Sequence, residues 1–384
     1  MEYENLHLKY KQTSIQGRYL NLEMISPILI AMNSNNQLQI LGYSVQGRPI
    51  YKYEIGHGKT KILMWSQMHG NESTTTKGLL DFMNLLLDDA EISIKILENF
   101  TFCFVPMLNP DGAKMYTRVN ANEVDLNRDF QNLSQPESQL LMQCYRDFKP
   151  NFCFNLHDQR TIFGVGTTGK PATVSFLAPS YDETKEYDAV RLSAVNVIMK
   201  MVNVLQDIIP GQIGRFEDGF NINCAGDTFQ ALKTPTILIE AGHYQEDYDR
   251  EITRKYIFTA LLAAVSSDID KVLINDVLLR YCTISQNIPN FFDQIFRNVQ
   301  INYENSIIKT NFALQYKEEF QENKIIFIAH FAKIGNLDGF FGHEDFDAEG
   351  MNYTDIDCSF PKIDDKANFF LKDNVKFVNG LVKK

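Results

Sequence analysis

Four short apolar runs, each stopping at a turn former or a charged side chain, constrain the fold of this chain most. They are Lys61-Ile62-Leu63-Met64-Trp65-Ser66, Thr101-Phe102-Cys103-Phe104-Val105, Phe152-Cys153-Phe154-Asn155-Leu156 and Pro235-Thr236-Ile237-Leu238-Ile239. Runs of this length, bounded by turn residues, read as buried strands. Between and after them, Ser73 to Leu87, Gln135 to about Phe148, Glu183 to Leu205 and Asp249 to Ser267 place apolar residues at helical spacing. Strands alternating with helices over residues 37–270 predict an α/β fold: a mixed, mostly parallel sheet with helices on both faces. Chemistry in such sheets collects beyond the carboxyl ends of the strands. His69, Glu72, Asn109, His157 and Glu240 all fall there.

Ahead of the first run, residues 1–36 form a polar extension with a helix around Leu20–Met32. Leu38–Tyr43 and Pro49–Ile55 then pair as a hairpin across Gln46-Gly47-Arg48. Leu108-Asn109-Pro110-Asp111-Gly112 is a run of turn formers. From about residue 281 the pattern changes to short runs, Val299–Tyr303, Asn311–Tyr316 and Lys324–His330, separated by turn residues. A small β-rich carboxy-terminal domain over 281–384 is the expectation.

Composition removes several classes of partner. The net charge of −11 argues against nucleic acid or an anionic membrane as partner, since both attract basic surfaces. No apolar stretch is long enough to span a bilayer. The start Met1-Glu2-Tyr3-Glu4-Asn5-Leu6 lacks the basic and apolar regions of a signal peptide. Six scattered Cys without a Cys-x-x-Cys pair read as free thiols in a reducing compartment. A cytoplasmic protein is expected.

The strand ends carry the chemistry. His69 and Glu72 lie in a strand-to-helix turn with Gly70 between them to let the backbone bend. An imidazole and a carboxylate so spaced can converge on one cation, and zinc takes nitrogen and oxygen ligands. His157, 85 residues beyond Glu72, completes a two-His, one-carboxylate set of the kind that holds catalytic zinc. Asp158 either orients a ligating imidazole or caps the turn. Glu240 directly follows the apolar residues Ile237, Leu238 and Ile239, where a carboxylate is costly to bury unpaired. A partly desolvated Glu is suited to act as a general base, and a structural Glu–Arg pair is the alternative. Arg118, Asn127 and Arg128 lie in one polar stretch, able to bind a carboxylate or steady an oxyanion, or to pair with Asp125 and Asp129. Gly164-Val165-Gly166-Thr167-Thr168-Gly169-Lys170-Pro171 imitates a phosphate loop. Pro171 stands where a magnesium-binding hydroxyl would be, and no helix start follows.

Taken in order, His69-x-x-Glu72, Asn109-Pro110-Asp111-Gly112, Val124-Asp125-Leu126-Asn127-Arg128-Asp129-Phe130, His157 and Ile239-Glu240 resemble the zinc metallocarboxypeptidases of the carboxypeptidase A type. The match covers roughly residues 40–270. It implies a catalytic domain over 1–280 and one Zn2+ held by His69, Glu72 and His157. By the same resemblance Glu240 activates zinc-bound water, Arg118 polarises the carbonyl, and Asn127 with Arg128 receives the substrate carboxylate. The family's clamping Tyr has no counterpart here: Phe216 and Phe220 occupy that stretch, without a Tyr. The compact His-Gly-Asn-Glu form also resembles the aspartoacylase and succinylglutamate desuccinylase branch, an N-acyl amino acid deacylase alternative. A non-enzymatic metal-binding module is a third. The substrate implied is a small peptide, or an acyl amino acid, with a free carboxylate. Asp227 falls where the family lines its side-chain pocket; it would favour a basic end, or else cap a helix starting at Thr228.

Overall fold

A computed structural model describes residues 2–34, 36–266, 276–303, 306–355, 360–372 and 375–383. The chain forms two compact units, residues 1–159 with 172–287, and residues 160–171 with 288–384. Cys358 and the expected helix end at Ser267 lie outside the described residues.

The first unit begins with helices α1 (Tyr3–Tyr10) and α2 (Leu22–Met32), then the hairpin of β1 (Leu38–Tyr43) and β2 (Pro49–Gly56). Next come β3 (Thr60–Ser66), α3 (Thr74–Leu86), α4 (Glu91–Asn99), β4 (Phe100–Val105), α5 (Pro110–Met115), α6 (Pro136–Phe148) and β5 (Phe152–Asp158). The chain enters the second unit for β6 (Phe163–Val165). It returns through β7 (Val174–Leu177), α7 (Ala189–Ile208), β8 (Ile213–Arg215), α8 (Ala225–Ala231), β9 (Thr236–Ala241), α9 (Glu251–Val265) and α10 (Val277–Thr283). Eight strands form one sheet in the order β1-β2-β4-β3-β5-β9-β7-β8. Its centre, β4-β3-β5-β9, is parallel, while β2 and β7 run antiparallel to the strands beside them there.

Residue parity explains both the layering and the site. Ile62, Met64, Phe154, Leu156, Ile237 and Ile239 enter one apolar core with residues of α3, α7 and α9. Their neighbours Leu63, Trp65 and Cys153 enter a second core with residues of α6 and α8. Successive strand side chains alternate between faces. His157 therefore shares its face with Cys153 and Asn155, and Glu240, paired with His157 across the ladder, sits beside it.

Two local expectations change. Leu108–Gly112 opens a helix: Pro110 stands at its first position, where its missing N–H costs nothing, and the Asn109 side chain accepts from Gly112 N at 2.8 Å. Helix α7 starts at Ala189, six residues later than its periodicity suggests, because Asp188 caps it by accepting from Arg191 N.

In the second unit the short runs expected from sequence are parts of long strands. After β10 (Asn287–Pro289) come β11 (Phe291–Tyr303), β12 (Ser306–Gln321), β13 (Lys324–Ile334) and β14 (Phe341–Asp347), with sheet order β13-β12-β11-β14. A second four-stranded sheet follows, β15 (Tyr353–Thr354) to β18 (Leu381–Val382), with β16 (Phe369–Leu371) and β17 (Val375–Val378) between. Phe296, Phe312 and Phe331 from the first of these sheets pack one core with Phe369 and Phe377 from the second. The phosphate-loop imitation lies here: Val165 N donates to Lys170 O, and Asn290 Nδ2 donates to Gly166 O. No described helix is long and apolar enough to cross a membrane.

Candidate active site

Strands β3, β5 and β9 are contiguous in the sheet, so their carboxyl ends deliver side chains to one place. The turn after β3 supplies His69 and Glu72, and β5 supplies His157; their ligand atoms all lie within 4.8 Å of one another. His69 Nδ1 is 2.8 Å from Glu72 Oε1, His157 Nδ1 is 2.8 Å from Glu72 Oε2, and the two Nδ1 atoms are 3.2 Å apart. All three residues are buried. Burial drives the His157 imidazole below its ordinary range, towards the neutral form that a ligand nitrogen requires.

Of the two readings of Asp158, the structure shows the cap. Asp158 caps α3, accepting from Thr74 N at 2.8 Å and Thr75 N at 3.1 Å. The carboxylate that orients an imidazole is Asp125, whose Oδ1 lies 3.0 Å from His69 Nε2. Burial pushes Asp125 upward, but the His69 hydrogen bond and the charges of His69 and Arg118 outweigh it and hold it well below the carboxylate range. Sequence reasoning treated Asp125 only as a loop ion-pair partner; its place inside Asp-Leu-Asn-Arg was the available signal.

Glu240 is buried, and its Oε2 has no hydrogen-bond partner among the described residues. Burial first, then the nearby Glu72 and Asp158 carboxylates, push its pKa well above the ordinary value. Arg118, half exposed, donates to Glu72 Oε1 at 3.2 Å and to Asp125 Oδ2 at 3.1 Å. Asn127 and Arg128 lie on a 3-10 turn, Leu126–Arg128. Ala225 N donates to Asn127 Oδ1 at 3.0 Å, and Arg128 Nη1 donates to Asn127 O and to Cys224 Sγ at 2.9 and 3.0 Å. Asp227 does not cap a helix starting at Thr228. Helix α8 begins at Ala225 with Cys224 as its cap, and Asp227 lies buried in the first turn, accepting from Asn221 N. Burial raises its pKa to about 7. Asn155, on the same face as His157 and with a buried Oδ1 that has no partner among the described residues, was not singled out from sequence. Its alternation with His157 on β5 was the signal.

Solved structures with a similar fold include metallo-carboxypeptidases. One from Burkholderia cenocepacia superposes with a TM-score of 0.52 at 17% identity, covering 64% of this chain and 68% of its own. Carboxypeptidase A from Helicoverpa armigera gives 0.53 at 16% identity, covering 69% and 79%. Residues 29–204 match the zinc carboxypeptidase family model. Among curated relatives, carboxypeptidase SOL1 of Arabidopsis thaliana is 33% identical over 141 residues, 32% of this chain and 29% of that protein. Carboxypeptidase E of Caenorhabditis elegans is 30% identical over 152 residues, 32% of each chain. The matched stretch thus spans less than a third of either relative's length.

Proposed function

We propose that this chain is a zinc-dependent carboxypeptidase that hydrolyses the last amide of a small peptide bearing a free carboxylate. The observation that carries the reading is the convergence of three buried ligand atoms, from His69, Glu72 and His157, within 4.8 Å of one another. With the His69 proton on Nε2, toward Asp125, the Nδ1 lone pair points at Glu72 Oε1 from 2.8 Å, and His157 Nδ1 meets the other oxygen at the same distance. Positive charge, from a proton or a metal ion, must lie between each of these nitrogens and the carboxylate. Two imidazole nitrogens and a carboxylate suit zinc.

Zinc held by His69, Glu72 and His157 would polarise the scissile carbonyl and acidify a water molecule. The residues of the chain do the rest. Glu240 takes the proton as the water oxygen bonds to the carbonyl carbon, then gives it to the departing amine nitrogen as the C–N bond breaks. Burial raises the pKa of Glu240, which helps it hold the proton between the two transfers. Arg118 donates to the carbonyl oxygen as negative charge builds there. Asn127, its carbonyl fixed by Ala225 N, offers its NH2 group with the Arg128 guanidinium to the terminal carboxylate. Asp227 favours a basic terminal side chain.

Glu240→Gln tests the reading. It should keep the wild-type metal content and lose about 10²- to 10⁴-fold in kcat on a peptide substrate. Unchanged turnover would remove Glu240 from the mechanism. Preference for N-acetyl or N-succinyl amino acids over peptides, by a large factor in kcat/KM, would move the assignment to a deacylase.

A further inference from the structure

The segment between α1 and α2 has no regular structure, yet its carbonyls are read one after another by buried donors. Arg254 donates to Gln12 O at 2.8 Å and to Ile15 O at 2.9 Å. Lys77 Nζ donates to Gly17 O at 2.7 Å, Ser73 Oγ to Arg18 O, and Gln67 Nε2 to Leu20 O at 2.8 Å. All four donor residues are buried. The strap, residues 12–20, precedes the stretch that matches the family model. It runs past α3 and ends at the turn that carries His69 and Glu72.

Gln67 is where strap and turn meet. Its φ of 50° is left-handed, an unfavourable conformation for a residue with a Cβ that needs surrounding contacts to hold it. Those contacts are present. Nε2 donates to Gly70 O at 2.9 Å as well as to Leu20 O, Oε1 accepts from Thr76 Oγ1 at 3.1 Å, and the backbone carbonyl accepts from Asn109 N at 3.1 Å. One buried amide therefore joins the strap, both sides of the His69–Glu72 turn and the first turn of α3.

We propose that Gln67 is a positioning residue for the metal-binding turn and that the strap of residues 12–20 is its fixed anchor. The proposal rests on the zinc reading of His69, Glu72 and His157. Without the amide, the turn loses its tie to Leu20 and Gly70, the strained φ at Gln67 loses part of its support, and the ligands lose their preset spacing. Residues that orient ligands without touching the ion typically change metal affinity by about 10- to 100-fold.

Gln67→Met keeps the length and removes all three side-chain hydrogen bonds. Zinc affinity of the full-length variant, measured by competition with a chromophoric chelator, should fall tenfold or more. At saturating zinc, kcat should fall while KM for a peptide stays within about twofold. Ile62→Val, a core trim elsewhere on the preceding strand, should lower Tm and leave zinc affinity unchanged. If Gln67→Met does not fold, Thr76→Val decides: it removes the hydroxyl that fixes Gln67 Oε1 and should weaken zinc at least threefold. Zinc affinity within twofold of wild type in whichever variant decides, with or without a lower Tm, overturns the positioning role. A wild-type chain that binds no zinc would instead overturn the metal reading beneath it.

Discussion

Asp227 sits in the first turn of α8 with its pKa raised to about 7 by burial, against 3.8 for an ordinary Asp. Because the folded value lies above the unfolded one, its contribution to stability is complete below about pH 4 and is lost as pH rises through 7. Asp227→Asn should flatten that part of the stability profile and stabilise the protein by roughly 2 kcal/mol at pH 8, measured by denaturant titration. A variant as pH-dependent as wild type over that window would contradict the assignment. The same carboxylate carries the specificity expectation. At pH 8 the substitution should cut kcat/KM for a Lys-terminated peptide about tenfold, roughly 1.4 kcal/mol, and spare a Phe-terminated one. Equal loss on both would leave Asp227 without a role in side-chain choice.

At the scale of elements, the turn after β3 shows what was legible and what was not. The apolar run, the helical spacing after it and the His-x-x-Glu between them located the turn correctly. The reason given for Gly70 was different from the one the structure supplies. The left-handed residue is Gln67, and Gly70 is required because a Cβ there would lie 2.0 Å from Gly112 C and 2.2 Å from Ala113 N. That contact joins residues some forty positions apart, and no local pattern reveals it. The same limit hid α5: proline, asparagine and glycine mark turns and helix starts alike, and only the Asn109 side chain bonding forward to Gly112 N separates them. Gly70→Ala should therefore cost about 2–3 kcal/mol through overpacking, and weaken metal binding as the turn shifts. A cost of a few tenths would mean that α5 yields easily.

For the whole molecule, continuous apolar runs and the positions just past their ends predicted which residues would gather, but not the strand order that gathers them. His69, Glu72, His157 and Glu240 meet because β3, β5 and β9 are neighbours, a pairing set by packing between segments far apart in sequence. The excursion of residues 160–171 into the second unit was illegible for the same reason: its partners, Asn290, Gln315, Phe341 and His343, all come more than a hundred residues later. The long strands β11 to β13 were seen only in part, because polar residues interrupt their apolar alternation at exposed positions. Metal analysis checks whether His69, Glu72 and His157 hold one zinc ion. Full-length protein prepared with zinc present and dialysed against metal-free buffer should carry about one zinc per chain, and His157→Ala nearly none. Wild-type protein with less than roughly a tenth of a zinc per chain, or a His157→Ala variant that keeps wild-type zinc, would contradict the account.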